Sequence, residues 1–499
     1  MSTDVTATPG PPDAGPAPVV VHDPPEEVTL SPSASPRLML VLSLGLGAVA
    51  VASAVVSGLA MTRGDKILTV LPLALMVGLA VGALAVTRFQ TFVLLLLAVR
   101  PSIDLVKLSG DPTGTAGGSG VSRGVDPSSM LAVLFLAAAL LWLAARAAGG
   151  RAVAPSRFGW ALIAFGSTAY LSVVGSARPE ASALEATRIA SVVMMFIVLE
   201  QLIRDDRTMR LVLGACYVGL LYPLLYTLFG IVTGNPPSET AGSFARLTGP
   251  FNQSNTFSRY LAFMLVFAIA VYPHVGRRLR VPAVAVIALS GVFLVMTLTR
   301  TGMLGALVGV LLVAVIQRRY TILAGIGVFA VIAVLVLPGV GERFGTAGTS
   351  TELGASEPTG NTVEWRLRYW AEVLPLANEN PVTGIGLTMT QYGTAAEKQP
   401  HNDFLRAYVE TGLVGFGTFV AVVVTLLGNA WAAVRAAPRG SPGHAVAAGA
   451  LGCAVAFSLS AAFANVMSNV VSLWYLLAFA AAAGWVLRSA AGERSSGLG

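Results

Sequence analysis

The chain has 499 residues, of which 55% are hydrophobic and 11% charged, with a mean hydropathy of +0.74. Soluble domains carry about 25% charged residues, so this composition excludes an ordinary soluble protein and outweighs the roughly three-domain expectation from length alone. The net charge of +7 is accompanied by no nucleic-acid-binding signature, and its natural explanation is basic residues gathered in cytoplasmic loops of a membrane protein.

In chain order, residues 1–36 are rich in Pro and Ala, carry five acidic residues and contain no Lys or Arg. They bury too little apolar surface to fold alone, so a disordered cytoplasmic tail is expected. From Arg37 onward, apolar segments recur near 38–61, 67–87, 89–99, 129–145, 158–175, 183–203, 211–232, 257–273, 281–299, 301–317, 321–337, 412–433, 445–467 and 471–487. Each is weighed against the ~20 residues needed to cross a ~30 Å hydrocarbon core, and 89–99 is too short alone. The expectation is an all-α polytopic membrane domain over 37–488 with about 12–14 transmembrane helices, followed by a cytoplasmic tail, 489–499. Cys216 and Cys453 fall inside apolar segments and read as small buried hydrophobes.

With the N-terminus placed inside, the inner loops hold Arg88, then Arg146, Arg151 and Arg157, then Arg204, Arg207 and Arg210. They continue with Arg277, Arg278 and Arg280, then Arg318 and Arg319, Arg435 and Arg439, and Arg488 and Arg494. This recurrence fits the positive-inside rule, with Arg63 and Lys66 as a mild conflict. The expected location is therefore the cytoplasmic membrane, with both termini cytoplasmic. The outer loops that stand out are the Gly/Ser-rich 107–128, 233–256, and the large extracytoplasmic loop 338–411, since loops this long are usually functional or disordered. Within the last, 362–377 reads as an interfacial helix with Val363, Leu367, Trp370 and Leu374 on one face.

Several outward residues are candidates for chemistry. Residues 281–317 carry one charge, Arg300. As a single helix at ~1.5 Å per residue this stretch would exceed ~50 Å, so a tight turn at 299–302 is expected to put Arg300 at the outer surface. His401, alone among the four histidines, faces outward. It is a candidate base at neutral pH, although its neighbours Asn402 and Asp403 also suit a helix cap. Arg246 and Arg366 complete an outward basic set, and guanidinium groups bind phosphate oxygens bidentately without losing charge. GlyIleGly at 384–386 reads as a tight turn rather than a nucleotide-binding fingerprint. No sequence cluster suggests a metal, and no cofactor is expected.

These blocks together carry a resemblance. ArgLeuThrGlyProPheAsnGlnSerAsn (246–255), ThrLeuThrArgThrGly (297–302), TrpArgLeuArgTyrTrp (365–370), AsnProValThrGlyIleGlyLeu (380–387) and HisAsnAspPheLeuArgAlaTyrValGluThrGlyLeuValGly (401–415) resemble the O-antigen ligase / O-antigen polymerase superfamily of bacterial envelope glycosyltransferases. The resemblance covers roughly 160–430 and is most specific over 380–415. It implies a GT-C-like, inverting, metal-independent enzyme that takes a glycan from an undecaprenyl-pyrophosphate-type lipid carrier to a hydroxyl acceptor outside the cytoplasmic membrane. It assigns His401 to catalysis and Arg246, Arg300 and Arg366 to the donor pyrophosphate. Asn402, Arg188 and Arg368 are supporting candidates, although each arginine can instead neutralise a nearby Glu, such as Glu185 or Glu364. Thr299 stands where family members usually have Ser. The implied partners are the lipid-linked donor, a glycan, lipid or protein hydroxyl acceptor, and membrane lipid. The rival reading is a multi-span transporter or flippase for an anionic or lipid-linked substrate, against which stands the absence of an internal repeat or a matching pair of broken helices.

Overall fold

A computed structural model describes residues 78–108, 127–151, 153–241, 244–336, 363–395 and 397–495. Residues 74–499 form one compact unit, and the other, 1–73, lies outside the described residues. Also outside them lie the expected tail 1–36, the first expected span, Arg63 and Lys66, most of loop 107–128, and residues 337–362.

After an apolar helical stretch, Gly78–Thr87, the helices are α1 (Phe89–Leu108), α2 (Pro127–Ala148), α3 (Arg157–Leu171), α4 (Pro179–Leu202) and α5 (Asp206–Val232). A short hairpin, β1 (Ser238–Ala241) and β2 (Phe244–Leu247), interrupts them. Then follow α6 (Ser254–Val271), α7 (Arg280–Met296), α8 (Arg300–Ile316), α9 (Thr321–Val336), α10 (Val363–Val373), α11 (Asp403–Ala436), α12 (Pro442–Phe463) and α13 (Val470–Ser495). Among the described residues, eight helices are long and apolar enough to cross a membrane, and three further apolar helices are shorter. The protein is an all-α polytopic membrane protein, as its composition predicts.

Local chemistry explains where the helices begin. Asp205 caps α5 by accepting from the Thr208 amide at 2.7 Å, and Pro179 occupies the first position of α4, where an amide hydrogen would have no partner. Between α7 and α8 the chain turns within three residues. Leu298 adopts φ 49° and Thr299 is extended, so Arg300 becomes the first residue of α8. A left-handed leucine is sterically costly, and it is held here by a turn that keeps the guanidinium out of the helix centre.

The interior is aromatic where α6 meets α13. Tyr260 and Tyr475 pack edge to face with ring centres 5.1 Å apart, and Phe267 stacks on Phe479 at 3.9 Å. The outward faces of several helices carry exposed large apolar groups, among them Leu141, Leu225, Phe229 and Trp431. In water such a surface would be an aggregation hazard; in a bilayer it is the lipid face.

Chain direction separates two ends. α6 leads from Ser254 towards Arg277, Arg278 and Arg280; α7 returns from there, and α8 runs on to Arg318 and Arg319. α11 ends at Arg435 and Arg439, and α13 leads to Arg488, whose guanidinium donates to the carbonyl oxygens of Glu200 and Ile203 at the end of α4. The Arg clusters thus occupy one set of helix ends. Segments 246–256, 297–301, 401–403 and 464–469 occupy the opposite set.

The long loop is more structured than its length suggests. α10 continues as a 3-10 turn, Leu374–Asn378, close to the expected 362–377. Its Leu367 and Leu374 are exposed, whereas Tyr369 and Val373 are buried. Trp370 donates through Nε1 to the Pro400 carbonyl at 2.6 Å, and the Tyr369 hydroxyl bonds Thr394 and the Lys398 carbonyl. The GlyIleGly turn is confirmed: Gly384 and Gly386 have φ 77° and 103°, and Ile385 and Gly386 donate to the carbonyls of Val409 and Glu410.

Candidate active site

Four arginines and one histidine line a single cleft: Arg246, Arg259, Arg300, Arg366 and His401, with Asn255, Thr299 and the main chain around Phe463 completing it. The cleft spans about 450 Å³ of atom-free space, part of it open solvent. It lies at the helix ends opposite the Arg clusters.

Each group arrives on a different element. Arg246 sits on β2 opposite Glu239 in the hairpin register. Its Nε donates to the Thr297 carbonyl at 3.0 Å, and its Nη2 donates to Asn255 Oδ1 and Thr299 Oγ1, both at 2.8 Å. Glu239 lies 3.6 Å from its Nη1 and also accepts from the Ser254 amide at the start of α6. Arg246 is therefore a buried clamp joining hairpin, α6 and the α7–α8 turn, besides placing positive charge in the cleft. Arg300 opens α8 beside it. There Gly302 lets α8 meet α6: a Cβ at this position would fall 1.8 Å from Ser258 Oγ.

Arg366 comes from α10 and is anchored by donation from Nη1 to the Phe463 carbonyl at 3.0 Å. Burial and the charge of Arg300 both lower its pKa from the usual arginine value. Two guanidinium groups that repel across one cleft favour an anion bound there.

His401 adopts φ 53°, a left-handed conformation uncommon for a residue with a side chain. Two such residues, Leu298 and His401, border the same cleft, and strain of this kind concentrates at functional sites. Burial, then the charges of Arg366, Arg259 and Lys398, push the imidazole pKa down to about 4. The ring is neutral at physiological pH and has a lone pair to offer. Its Nδ1 lies 3.4 Å from Asn465 Nδ2.

Asn402 caps α11: its Oδ1 accepts from the amides of Phe404 and Leu405 at 3.0 and 3.1 Å. Capping is thus its visible contact. Arg188 lies outside the cleft and pairs with Glu185 at 3.4 Å, one of the two roles its sequence context allowed. Arg368 is exposed and also outside the cleft lining; the side chain of Glu364, its suggested partner, lies outside the described residues.

Arg259 was not singled out in the sequence. It sits on the second turn of α6, is 6% exposed, and donates through Nη1 to the Asn465 carbonyl at 2.8 Å. Its Nε is buried with no hydrogen-bond partner among the described residues. A signal was present, because a charge just inside an apolar span is costly and marks function by default.

Beneath the cleft a buried ionic network fixes α11. Arg406, fully buried, donates to Glu410 at 2.8 Å and to Glu185 of α4 at 3.2 Å. Glu185 also accepts from Ser468 at 2.6 Å, and Glu410 accepts from the Thr388 amide at 2.8 Å. Asp403 Oδ2 accepts from the amides of Val466 and Met467 at 2.7 and 2.9 Å. These bonds lock the segment carrying His401 onto the turn between α12 and α13.

Residues 284–420 match the family model described as O-antigen ligase. That stretch is similar to the O-antigen ligase family. The match takes in Arg300, Arg366 and His401 and supports the likeness to the O-antigen ligase and polymerase superfamily. Glycan transfer in general is what such a domain supports. Arg246 and Arg259 precede the matched stretch and join its residues through the fold. No curated protein matches the chain.

Proposed function

We propose that this O-antigen ligase-like protein transfers a glycan from an undecaprenyl-pyrophosphate-type carrier to a hydroxyl acceptor at the outer face of the cytoplasmic membrane. The observation that carries the reading is the convergence of four arginines and a neutral histidine on one cleft, at the helix ends away from the Arg-rich loops. By the positive-inside rule those loops face the cytoplasm, which puts the cleft outside.

The chemistry follows from where charge develops. The bond between the anomeric carbon and the pyrophosphate oxygen breaks, and its electron pair leaves with the diphosphate. Arg300, Arg366, Arg259 and Arg246 stabilise that growing charge, an effect worth ~3 kcal/mol for each well-placed donor. The acceptor oxygen attacks the opposite face of the sugar, inverting it, and its proton passes to His401 as the new bond forms. General-base assistance of this kind contributes about 10²–10⁴-fold. Fixed guanidinium charges serve the leaving group, so this scheme assigns no step to a metal.

An imidazole with a pKa near 4 is a feeble base in the empty cleft. The doubly charged donor corrects this. Its negative charge offsets that of Arg366 and Arg259, which add to burial in depressing His401, and raises the basicity of the ring when it is needed. The acceptor hydroxyl belongs to a second lipid-linked repeat in a polymerase, or to another lipid, glycan or protein in a ligase. The decisive experiment gives the purified chain the lipid-linked glycan and candidate acceptors in detergent and looks for a new glycosidic product.

A further inference from the structure

Arg146 is a buried charge far from the cleft, in the last turn of α2 and only 5% exposed. Its Nε and Nη2 are buried with no hydrogen-bond partner, and no carboxylate pairs with it among the described residues. The guanidinium carbon stands over the Trp142 ring, 5.0 Å from its centre, and that indole stacks on Phe89 of α1 at 4.7 Å. Stacking of this kind fixes the guanidinium plane and leaves the N–H donors, which lie in it, for another partner. The end of α2 does not supply one. The carbonyls of Ala145, Arg146 and Ala147 already accept from the amides of Gly149, Arg151 and Gly150, in a turn that Gly150 permits with φ 73°.

Further arginines gather round this one. Arg151 and Arg204 are close enough for their charges to act on Arg146, and Arg204 acts likewise on Arg488. All three are exposed. Arg204 donates through Nε to the Gln201 carbonyl at 3.1 Å, and Arg488 donates to the Glu200 and Ile203 carbonyls at 3.4 and 3.2 Å, so both bend over the end of α4. Glu200 lies 3.8 Å from Arg488 Nη1 and accepts from the Ser156 amide at 3.1 Å, which sets its charge against one arginine of the four. The positive-inside rule accounts for basic residues in aqueous loops. It does not account for a guanidinium buried within an apolar helix, where an unpaired charge is costly until a partner arrives.

Depth selects the partner. The apolar span of α2 runs from Leu131 to Ala148, so Arg146 lies where hydrocarbon gives way to headgroups. Leu140 and Leu141 of the same helix are 56% and 63% exposed, a surface for acyl chains leading to the arginines. Basic pockets between helices on the cytoplasmic side suit anionic headgroups. We propose that Arg146, with Arg151, Arg204 and Arg488, forms a binding site for the phosphate of an anionic phospholipid at the cytoplasmic ends of α2, α4 and α13. The phosphate oxygens take the in-plane donors of Arg146. Arg151 and Arg204, long and exposed, part to admit the headgroup and close over it. The site is at the helix ends opposite the cleft and does not depend on the transfer chemistry.

Native mass spectrometry of the full-length protein, released from neutral detergent micelles doped with phosphatidylglycerol or phosphatidylcholine, counts the lipid retained. Wild type should hold phosphatidylglycerol in preference to phosphatidylcholine, whose choline cancels the phosphate charge. Arg146→Met keeps an apolar stem beside Trp142, and Arg204→Gln changes an exposed position. Each should weaken phosphatidylglycerol binding by about tenfold or more, as the loss of a charge-assisted contact does. Arg277→Gln, in another cluster at the same helix ends, should leave it unchanged. In neutral detergent alone Arg146→Met should unfold no earlier than wild type, because it removes an unpaired buried charge, and added phosphatidylglycerol should raise the Tm of wild type more than that of the variant. Equal retention of the two lipids, or equal binding by wild type, Arg146→Met and Arg204→Gln, overturns the proposal. An Arg146→Met protein with the same loss of Tm whether or not the lipid is present makes the guanidinium purely structural and overturns it as well. Inorganic phosphate that displaces phosphatidylglycerol at equal concentration assigns the site to free phosphate and overturns the lipid reading.

Discussion

Arg246 donates through Nε to the carbonyl of Thr297 at 3.0 Å, so a residue on a four-residue strand holds the turn that presents Arg300. Because Nη2 of the same guanidinium bonds Asn255 and Thr299, the fork geometry matters as much as the charge. Arg246→Lys keeps the charge and loses the fork. It is expected to lower transfer by about 10²–10³-fold, the usual loss for one electrostatic donor, with less than a tenth of that loss recovered by added donor. Steady-state kinetics with varied donor checks this.

The acid limb of the rate profile should lie unusually low. On the proposed reading His401 acts in its neutral form, and burial first, then nearby charge, depresses its pKa from 6.5 to about 4. The neutral fraction is therefore complete at neutral pH and falls as the pH drops through about 4. The limb of kcat/KM, which reports the free enzyme, is expected near that value, and the limb of kcat higher, because bound diphosphate raises the imidazole pKa. Arg366→Gln removes the largest charge acting on the ring, and should move the kcat/KM limb upward towards 6.5. Coincident limbs in wild type would contradict this coupling.

Removing the guanidinium of Arg406 should unfold the site rather than tune it. Arg406→Met leaves Glu185 and Glu410 buried without their shared partner, and breaking a buried pair in this way costs about 3–5 kcal/mol. Thermal unfolding in detergent should show a marked fall in Tm and loss of activity together. A Tm unchanged from wild type would show that the network is not structural.

Gly412 interrupts α11 with φ 68°, and a Cβ there would lie 2.2 Å from the Val382 carbonyl oxygen. Gly412→Ala meets both the ~1–3 kcal/mol cost of a positive-φ, extended-ψ conformation open essentially to glycine alone and a clash with the turn at 380–386. Lower stability and poor transfer are expected, measured by the same unfolding and kinetic assays.

Much of this was legible in the sequence where a single residue broke a strong pattern. Arg300 in the middle of an apolar run had to lie at a turn, and α7 and α8 separate within four residues of it. His401 stood out among four histidines because the expected topology puts it alone on the outer side. The hairpin did not show, because strands of four residues are too short for an alternating pattern, and 233–256 read as a loop. Arg259 was absorbed into the apolar run beginning at 257. Arg406 and Glu410 were both inside the block that carried the resemblance, yet their partner Glu185 lies 221 residues from Arg406. Asn465 meets His401 across 64 residues. Periodicity reports local structure, and these pairings exist only once the helices pack.

Glycosyl transfer by guanidinium groups and one imidazole, as proposed for this cleft, can be measured on three proteins. Purified wild type, Arg300→Ala and His401→Ala, each shown to be inserted and folded, are incubated in detergent with the undecaprenyl-pyrophosphate-linked glycan and acceptor, where transport has no meaning. A new inverted glycosidic product is expected from wild type and at least a hundredfold less from either variant. Equal product from all three, or none from wild type while vesicles still show movement of the lipid-linked glycan, would contradict it.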